Sequence, residues 1–395
     1  MTYFYLYIFL IFSFFSLSEV LGANVNLLRI YRKISFLIIV IVAGFRYETG
    51  VDWAAYTSNF ELTPSLDEVF HSNNFSKLFL TLDVGFSLLN SIVKMVGGGI
   101  QTVFFIVSLI STTLLMKNLK YYTRYVLTGI LIYYSYFFFV FDMSGLRQGL
   151  ALQILFFSYK FIINKDFKKF VWYVILAGLI HWTAFVFVLL YFIVQKDWRK
   201  LAPYIIIISL TFFTLNFKWL QNILEQLNGY LKSYALISGK IGAYTSNDTL
   251  SQSRTWSLFS IYNCLRILAI YFIYLRFNLR EKRHYVFFNF LLIEFICFFF
   301  LAELTEISER FRFYFAIAEI VLIGAFLEKE IVMFKKQFIF GFVFAIAFIN
   351  SYAFFLNAPG TVAYQPYQNY LYHQLFDIRS TGPERLIKHI NFHEK

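Results

Sequence analysis

The sequence predicts an all-α, polytopic integral membrane protein, and three observations support this fold class. Of its 395 residues, 59% are hydrophobic and only 15% are charged, which is more apolar than a soluble domain of this size requires. Apolar runs of membrane-spanning length recur from end to end, and Lys and Arg cluster in the short segments between them. Backbone groups in lipid must bond internally, so the runs are expected to be helices. We predict one membrane domain over residues 1–356 and an outer tail over 357–395.

The net charge of +12 does not indicate a nucleic-acid partner, because the basic residues form no continuous stripe. They follow the positive-inside pattern instead. The two cysteines, Cys264 and Cys297, lie inside apolar runs, which argues against a disulfide scaffold and a zinc site. No phosphate-binding glycine loop or catalytic Ser/His/Asp arrangement is evident. We therefore expect no metal, no cofactor and no nucleic acid.

The first apolar run, Tyr3–Val20, has no basic segment before it and no small-residue cleavage site, so we interpret it as a retained helix. Arg29, Arg32 and Lys33 follow it, which predicts that the amino terminus lies outside and that this turn is cytoplasmic. The second run, Ile34–Phe45, then leads back to the outer face.

Residues 46–100 form the first predicted outer loop. Within it, Asp83–Val96 is apolar for only about a dozen residues, which favours an interfacial or re-entrant helix over a span. Including such short segments, we expect about eleven or twelve membrane helices. The later apolar runs are Val103–Met116, Tyr125–Phe141, the helix beginning at Arg147, Val171–Val194, Leu201–Asn216, Leu258–Leu275, Val286–Leu301, Phe313–Leu327 and Phe338–Leu356.

The run Val171–Val194 has basic residues on both flanks, so a single span would violate the charge rule. Two short helices that meet near Gly178 to His181 would keep both flanks inside and place His181 on the outer side. We predict this hairpin, with a single span as the alternative.

A second outer loop is predicted over residues 217–256. Its apolar positions after Trp219 recur at helical spacing, which predicts an amphipathic surface helix, and a turn-rich segment follows as far as Arg254. Arg266 and Glu294 lie near the middles of two later spans, where an unpaired charge costs roughly 3 kcal/mol or more, so we expect them to pair.

Charged residues converge on the predicted outer face, several of them at helix ends. Separated arginines suit a diphosphate, because guanidinium groups stay charged and bind two oxygens at a time. Trp53, Tyr56 and Trp182 are placed to stack on sugar rings. The converging residues are Arg46, Glu48, Asp52, Arg147, His181, Arg254, Glu306, Arg310 and Arg312.

Each candidate also has a structural interpretation. Arg46 and Arg147 are equally well explained as boundary residues with snorkelling side chains, and His181 as a satisfied core histidine. Asp52 suits a helix cap. Arg310 and Arg312 suit ion pairs with Glu306 and Glu309 on a solvated face.

Several motifs resemble the EpsG family, the Wzy-like polymerases of bacterial exopolysaccharide, capsule and O-antigen repeat units. Their order and spacing cover nearly the whole chain. They are GFRYETGVDWAAYTSNF at Gly44 to Phe60, DVGFSLLN at Asp83, LRQGLA at Leu146, HWTA at His181, ERFRFYF at Glu309 and QPY at Gln365.

The resemblance implies a membrane glycosyltransferase of GT-C-like architecture, with its active site on the extracytoplasmic face of the bacterial cytoplasmic membrane. Its substrate would be an oligosaccharide on undecaprenyl diphosphate, and a flippase and a chain-length regulator of the same pathway would be partners. Arg147 and Arg46 would hold the diphosphate first. Arg254, Arg310 and Arg312 follow as further ligands, Glu48, Trp53 and Tyr56 as substrate contacts, and His181 or Asp52 as the base.

Two alternatives remain open from the sequence. One is a related enzyme with a different acceptor, such as an O-antigen ligase or a membrane acyltransferase. The other is a non-enzymatic flippase of lipid-linked oligosaccharide, which would require a charged central cavity and near-symmetric halves, whereas no internal repeat is obvious.

Overall fold

The computed structural model of the chain describes residues 3–72, 83–230, 253–277, 279, 281–356 and 358–393. Across these ranges the regular structure is helical and contains no strand, which confirms the predicted all-α membrane fold. Part of the first predicted outer loop and most of the turn-rich segment before Arg254 lie outside the described residues. The chain divides into two compact units, Met1–Phe192 with Leu327–Lys395, and Ile193–Phe326.

The first unit holds the amino-terminal helices and the tail. Its elements are α1 (Phe4–Val20), α2 (Val25–Gly44), α3 (Trp53–Leu62), α4 (Leu66–Ser72), α5 (Val84–Met95), α6 (Ile100–Tyr122), α7 (Val126–Tyr133) with a π-helix (Tyr134–Asp142), α8 (Leu146–Ile163), α9 (Phe167–Ile180), a 3-10 helix (Trp182–Leu189) and α10 (Leu190–Ile193), and later α16 (Met333–Phe355), a 3-10 helix (Pro359–Tyr364), α17 (Tyr370–Phe376) and α18 (Gly382–His393).

The second unit is shorter, and its last helix continues into the first unit. Its elements are α11 (Ala202–Leu215), α12 (Trp219–Tyr230), α13 (Leu258–Phe277), α14 (Lys282–Phe295) with a π-helix (Ile296–Phe300) and α15 (Thr305–Lys329). The predicted amphipathic helix after Trp219 is present as α12, and residues 231–252, which follow it, lie outside the described residues.

By length and composition, four described helices can cross a membrane: α6, α13, α14 with its π-helix, and α16. Helices α11 and α12 meet at a bend of 79°. If the two together form one broken span, the count is five. Helices α1 and α5 are among the apolar helices that are shorter than these spans.

Helices α2 and α6 form an antiparallel pair on either side of the first predicted outer loop. The side-chain amide of Gln101 donates to the carbonyl of Gly44 at 2.7 Å, and the Ser108 hydroxyl donates to the carbonyl of Val40 at 3.4 Å. Helix α2 begins at Val25, well before the apolar run Ile34–Phe45, because Lys and Arg are good helix formers whose stems cover apolar surface. These contacts hold the end of α2 against the start of α6, so the position of the loop that begins after Gly44 is set by this pair.

The predicted hairpin over residues 171–194 is confirmed. Helix α9 ends at Ile180, His181 is extended (φ −148°, ψ 108°), and the chain returns through the 3-10 helix. The arms pack side by side, since the rings of Phe170 and Tyr191 lie 5.8 Å apart between centroids. Gly178 allows the close packing, because a Cβ there would lie 2.5 Å from the ring of Phe185.

The carboxyl-terminal tail folds back onto the loop after α2. The Tyr47 N–H donates to the Gln368 carbonyl at 2.9 Å, and the Tyr370 N–H donates to the Phe45 carbonyl at 2.7 Å. Arg385 of α18 is buried and donates to the Glu48 carbonyl at 2.9 Å. The predicted outer tail is therefore an ordered cover of this loop.

The predicted pair of Arg266 and Glu294 is confirmed, with Nη2 and Oε1 2.9 Å apart. A third member, Glu319 of α15, also pairs with Arg266 and was not expected from the sequence. All three side chains are buried, which meets the requirement that charges inside an apolar body be paired.

Candidate active site

Asp83 joins two of the residues that the sequence singles out. Its Oδ2 accepts a hydrogen bond from Nη1 of Arg147 at 2.6 Å, and its Oδ1 lies 3.6 Å from Nδ1 of His181. Oδ1 also accepts the backbone N–H of Trp182 at 3.0 Å. One buried carboxylate thus links the start of α5, the start of α8 and the turn of the hairpin. We refer to Asp83, Arg147 and His181 as the charged triad.

Local structure places each member of the triad. Asp83 is the residue before α5, and its carbonyl accepts the N–H groups of the first turn. Arg147 is the second residue of α8, and His181 ends α9. Helix α5 approaches α9 closely at Gly85, where a Cβ would lie 3.0 Å from the carbonyl oxygen of Leu179. This close approach allows the Asp83 carboxylate to reach His181.

Two of the helices that carry the triad, α5 and α8, share one apolar cluster, and Ile180 at the end of α9 packs against it. This packing holds the helix ends in fixed positions. The cluster joins α3, α5, α6 and α8. Its buried members are Tyr56, Phe60, Phe86, Val93, Val103, Phe104, Val107, Leu146 and Leu150.

The electrostatics of the triad favour an ionised Asp83. Burial would raise the pKa of Asp83, but the interaction with His181 and the charge of Arg147 outweigh it, and the pKa is lowered from its ordinary value. The Arg147 side chain is 30% exposed, whereas that of Asp83 is 5% exposed. A ligand can therefore reach Arg147, while Asp83 is held behind it.

His181 is only 8% exposed, and neither of its ring nitrogens has a hydrogen-bond partner within 3.5 Å among the described residues. Nδ1 faces the Asp83 carboxylate, at a distance typical of a catalytic contact that tightens when substrate binds. The other ring nitrogen, Nε2, is a buried polar atom that lacks a described partner. Buried polar atoms are normally hydrogen-bonded, so this atom is a candidate for substrate contact.

Arg46 and Arg147 each contact one ring of the same aromatic pair, Phe104 and Tyr56. The guanidinium carbon of Arg147 lies 5.5 Å from the ring centroid of Tyr56, and that of Arg46 lies 4.2 Å from the ring centroid of Phe104. The two rings are 6.2 Å apart in an edge-on arrangement. Both predicted diphosphate ligands therefore belong to the same region of the first unit.

The environment of Arg46 differs from that of Arg147. Arg46 is fully buried and donates to the carbonyls of Ala43 at 3.0 Å, Asp142 at 2.9 Å and Thr49 at 3.2 Å. Burial lowers its pKa to about 10, so it remains charged at neutral pH. In this structure Arg46 joins the end of α2 to the end of the π-helix, and its role as a diphosphate ligand stays a prediction.

The other candidates of the first loop surround this region. Asp52 takes the N-cap position of α3 but makes no capping hydrogen bond with its side chain. Its charge acts instead on Arg46 and Arg147. Trp53 begins α3, and Glu48 adopts a left-handed backbone (φ +43°) and accepts from Arg385 through its carbonyl.

In the second unit, each predicted arginine has a glutamate partner. Arg254 pairs with Glu309, and Nε of Arg312 donates to Oε2 of the same glutamate at 2.6 Å. Arg310 donates to Glu306 at 2.7 Å on the exposed side of α15. The ion pairs of Arg310 and Arg312 are therefore present, but only the Arg310 pair lies on a solvated face, because the Arg312 side chain is 2% exposed. Their roles as diphosphate ligands stay predictions.

Sequence reasoning missed Asp83 as a site residue. The signal was present, because an acid stands directly before the short apolar helix α5. Nothing local to that helix shows that its start meets Arg147 and His181. No group of three or more His, Cys, Asp or Glu side chains able to hold a metal occurs among the residues that the structure describes.

A sequence model described as the EpsG family matches residues 29–369, most of the chain. The matched range contains the whole charged triad and the three arginines of the second unit, so the resemblance noted from the sequence motifs is confirmed. No curated protein and no solved structure gives a significant match to the chain.

Proposed function

Because the chain belongs to the EpsG family, a family of Wzy-like polysaccharide polymerases, we propose that it joins oligosaccharide repeat units carried on undecaprenyl diphosphate. The growing glycan would be transferred from its carrier to the sugar of a new lipid-linked unit. The observation that carries this proposal is the charged triad, in which one buried carboxylate orients an arginine and a histidine.

His181 is the proposed general base. Its Nε2 accepts the proton of the acceptor hydroxyl while the acceptor oxygen bonds to the anomeric carbon of the donor. Asp83 faces the other ring nitrogen and stabilises the imidazolium that forms, as the carboxylate does in an Asp–His pair of a hydrolase. Asp52, the other base predicted from the sequence, has no such contact with His181 in the described structure.

Arg147 is the proposed partner of the leaving group. As the bond between the anomeric carbon and the diphosphate oxygen breaks, its electron pair stays on the diphosphate. A guanidinium that is already oriented by Asp83 stabilises this charge without reorganising. The partial exposure of the Arg147 side chain supports the assignment.

The remaining candidates have supporting roles in the proposal. The half-buried Trp53 is the proposed contact for a sugar ring, whereas Tyr56 is buried and supports Arg147 from beneath. Arg46 and Glu48 shape the loop that the tail covers. The second unit's Arg254, Arg310 and Arg312 would contact the diphosphate or the polymer only by giving up part of their glutamate pairing.

We place the site on the extracytoplasmic face of the bacterial cytoplasmic membrane. Arg29, Arg32 and Lys33 lie at the beginning of α2, whereas Arg46 follows its end. The positive-inside rule assigns the basic end to the cytoplasm, which leaves the Arg46 end for the outer face. A flippase and a chain-length regulator would then act before and alongside the polymerase.

Purified protein in proteoliposomes, supplied with one lipid-linked repeat unit, tests the function. A polymerase yields a ladder of longer lipid-linked glycans. A ligase yields none until a separate acceptor is added, and a flippase moves the unit across the bilayer without forming a bond. Excess chelator should leave the ladder unchanged, since no metal is required by the proposed step.

A further inference from the structure

A second charged region lies at the opposite end of α2 and α6 from the candidate active site. Here residues of the two helices line an open cavity of about 710 Å³. Its lining includes Arg29 and Lys33 from α2 and Lys117 and Lys120 from α6. Arg29 and Lys33 were predicted only as part of a cytoplasmic turn, and the proposed polymerase reaction uses none of the four residues.

These four cations have no ion-pair partner among the described residues. The fifth, Arg32, pairs with Glu19 at 3.2 Å. Four unneutralised cations around one space repel one another and attract an anion of more than one charge or more than one oxygen. The cavity is therefore suited to a phosphate group.

The lining of the cavity changes from basic to apolar along the helix axes. On α2 the basic residues come first and Phe36 and Leu37 follow them, deeper along the helix. On α6, which runs the other way, Thr113 and Met116 come first and the lysines follow. The spacing of three and four residues puts each set on one helix face. One end of the cavity is thus basic and the other is apolar.

We propose that this cavity binds an anionic phospholipid of the inner leaflet, with the phosphate among Arg29, Lys33, Lys117 and Lys120 and an acyl chain against Phe36 and Met116. A soluble phosphate compound would match only the basic end, and a zwitterionic lipid would bring its own cation among the lysines. An anionic lipid satisfies both ends. This inference does not rest on the polymerase proposal.

Native mass spectrometry of the purified full chain in detergent micelles tests the proposal. The probes are phosphatidylglycerol, phosphatidylcholine with the same acyl chains, and glycerol 3-phosphate. We expect phosphatidylglycerol to bind and to raise the melting temperature, while the other two bind at least tenfold more weakly. Equal binding of phosphatidylcholine would overturn the role of charge, and equal binding of glycerol 3-phosphate would overturn the role of the acyl chain.

The variant Lys117→Gln with Lys120→Gln should weaken phosphatidylglycerol binding by about 30-fold, since each lysine near a phosphate contributes about fivefold. Lys168→Gln with Lys335→Gln is the matched control, because both lysines are exposed and outside the cavity lining. Both variants keep a glutamine side chain of similar length on the helix surface. Equal affinity in the two double variants would exclude this cavity as the site.

Discussion

Arginines with similar sequence signatures occupy two different environments in the two units. In the first unit, Arg147 pairs with Asp83 beside a histidine whose Nε2 lacks a described partner. In the second unit, Arg254, Arg266 and Arg312 are balanced by three glutamates in what we call the buried ion network. The number of arginines therefore does not identify a diphosphate site. The exposure of each guanidinium group and the partners that surround it are the features that identify such a site.

Asn263 shows how closely the buried ion network is connected. Its side-chain oxygen accepts from Arg312 at 3.0 Å and from Arg266 at 3.1 Å. A fully paired network of this kind fixes the packing of helices inside an apolar body, at a desolvation cost that only complete pairing offsets. We therefore expect the first unit to control reaction rate and the second unit's network to control stability.

The largest expected effect is the loss of the base. His181→Ala and Asp83→Asn should each lower polymerisation by roughly 10²–10⁴-fold, because the first removes the proton acceptor and the second its orienting charge. Polymer length and initial rate in proteoliposomes measure this effect. Arg379→Ala, at an exposed tail position, should leave both unchanged. Normal polymer from His181→Ala would remove His181 from the mechanism, and normal polymer from Asp83→Asn would remove the orienting role of Asp83.

Arg147 should come next. Arg147→Ala should lower the rate by roughly 10²–10³-fold and Arg147→Lys by less, because lysine keeps the charge but loses the two-pronged hydrogen bonding. Membrane abundance should stay near that of the unaltered protein, as judged by quantitative blotting. If lysine restored the full rate, a bidentate contact with the diphosphate would be wrong.

Breaking the buried ion network should act on stability. Arg266→Met leaves Glu294 and Glu319 without their cation and should cost about 3–5 kcal/mol of unfolding free energy. Adding Glu294→Gln and Glu319→Gln to the same chain should recover most of that loss. Thermal unfolding in detergent measures both, and a single variant as stable as the triple variant would contradict this role of the network.

The tail should contribute a smaller amount. Arg385→Ala removes hydrogen bonds to the carbonyls of Glu48 and Pro366, each 2.9 Å from the guanidinium, and should cost about 1–3 kcal/mol. Limited proteolysis should then cut the tail of Arg385→Ala faster than the tail of the unaltered protein. Unchanged cleavage would show that the tail is held by other contacts.

The smallest effect should be the pH dependence of stability that arises from Asp83. Its pKa is lower in the folded chain than its ordinary value, so its stabilising contribution is complete at neutral pH and is lost as pH falls through the folded pKa. The difference in melting temperature between the unaltered protein and Asp83→Asn should therefore be constant near pH 7 and narrow only below about pH 4. A difference that narrows near neutral pH would contradict an ionised Asp83.

Much of the fold could be predicted from local pattern. The helical membrane body follows from the apolar runs, the hairpin around His181 from basic flanks on both sides of one run, and the pairing of Arg266 with Glu294 from the cost of isolated charge in lipid. Each of these depends on residues close in sequence or on a rule that applies to every span. The sequence also indicated Arg147 and His181 as site candidates, one by its helix-end position and both by the family motifs.

The arrangement of the candidate site depends on which helix ends meet. Asp83 becomes the centre of the triad because α5 packs against α9 at Gly85. Arg46 is directed into backbone carbonyls because the end of α2 meets the end of the π-helix, and the tail covers the first loop through Arg385. The apolar pattern and the charge of a segment determine whether it forms a membrane helix, a surface helix or a loop. Contacts between segments far apart in sequence arise only when the whole chain packs.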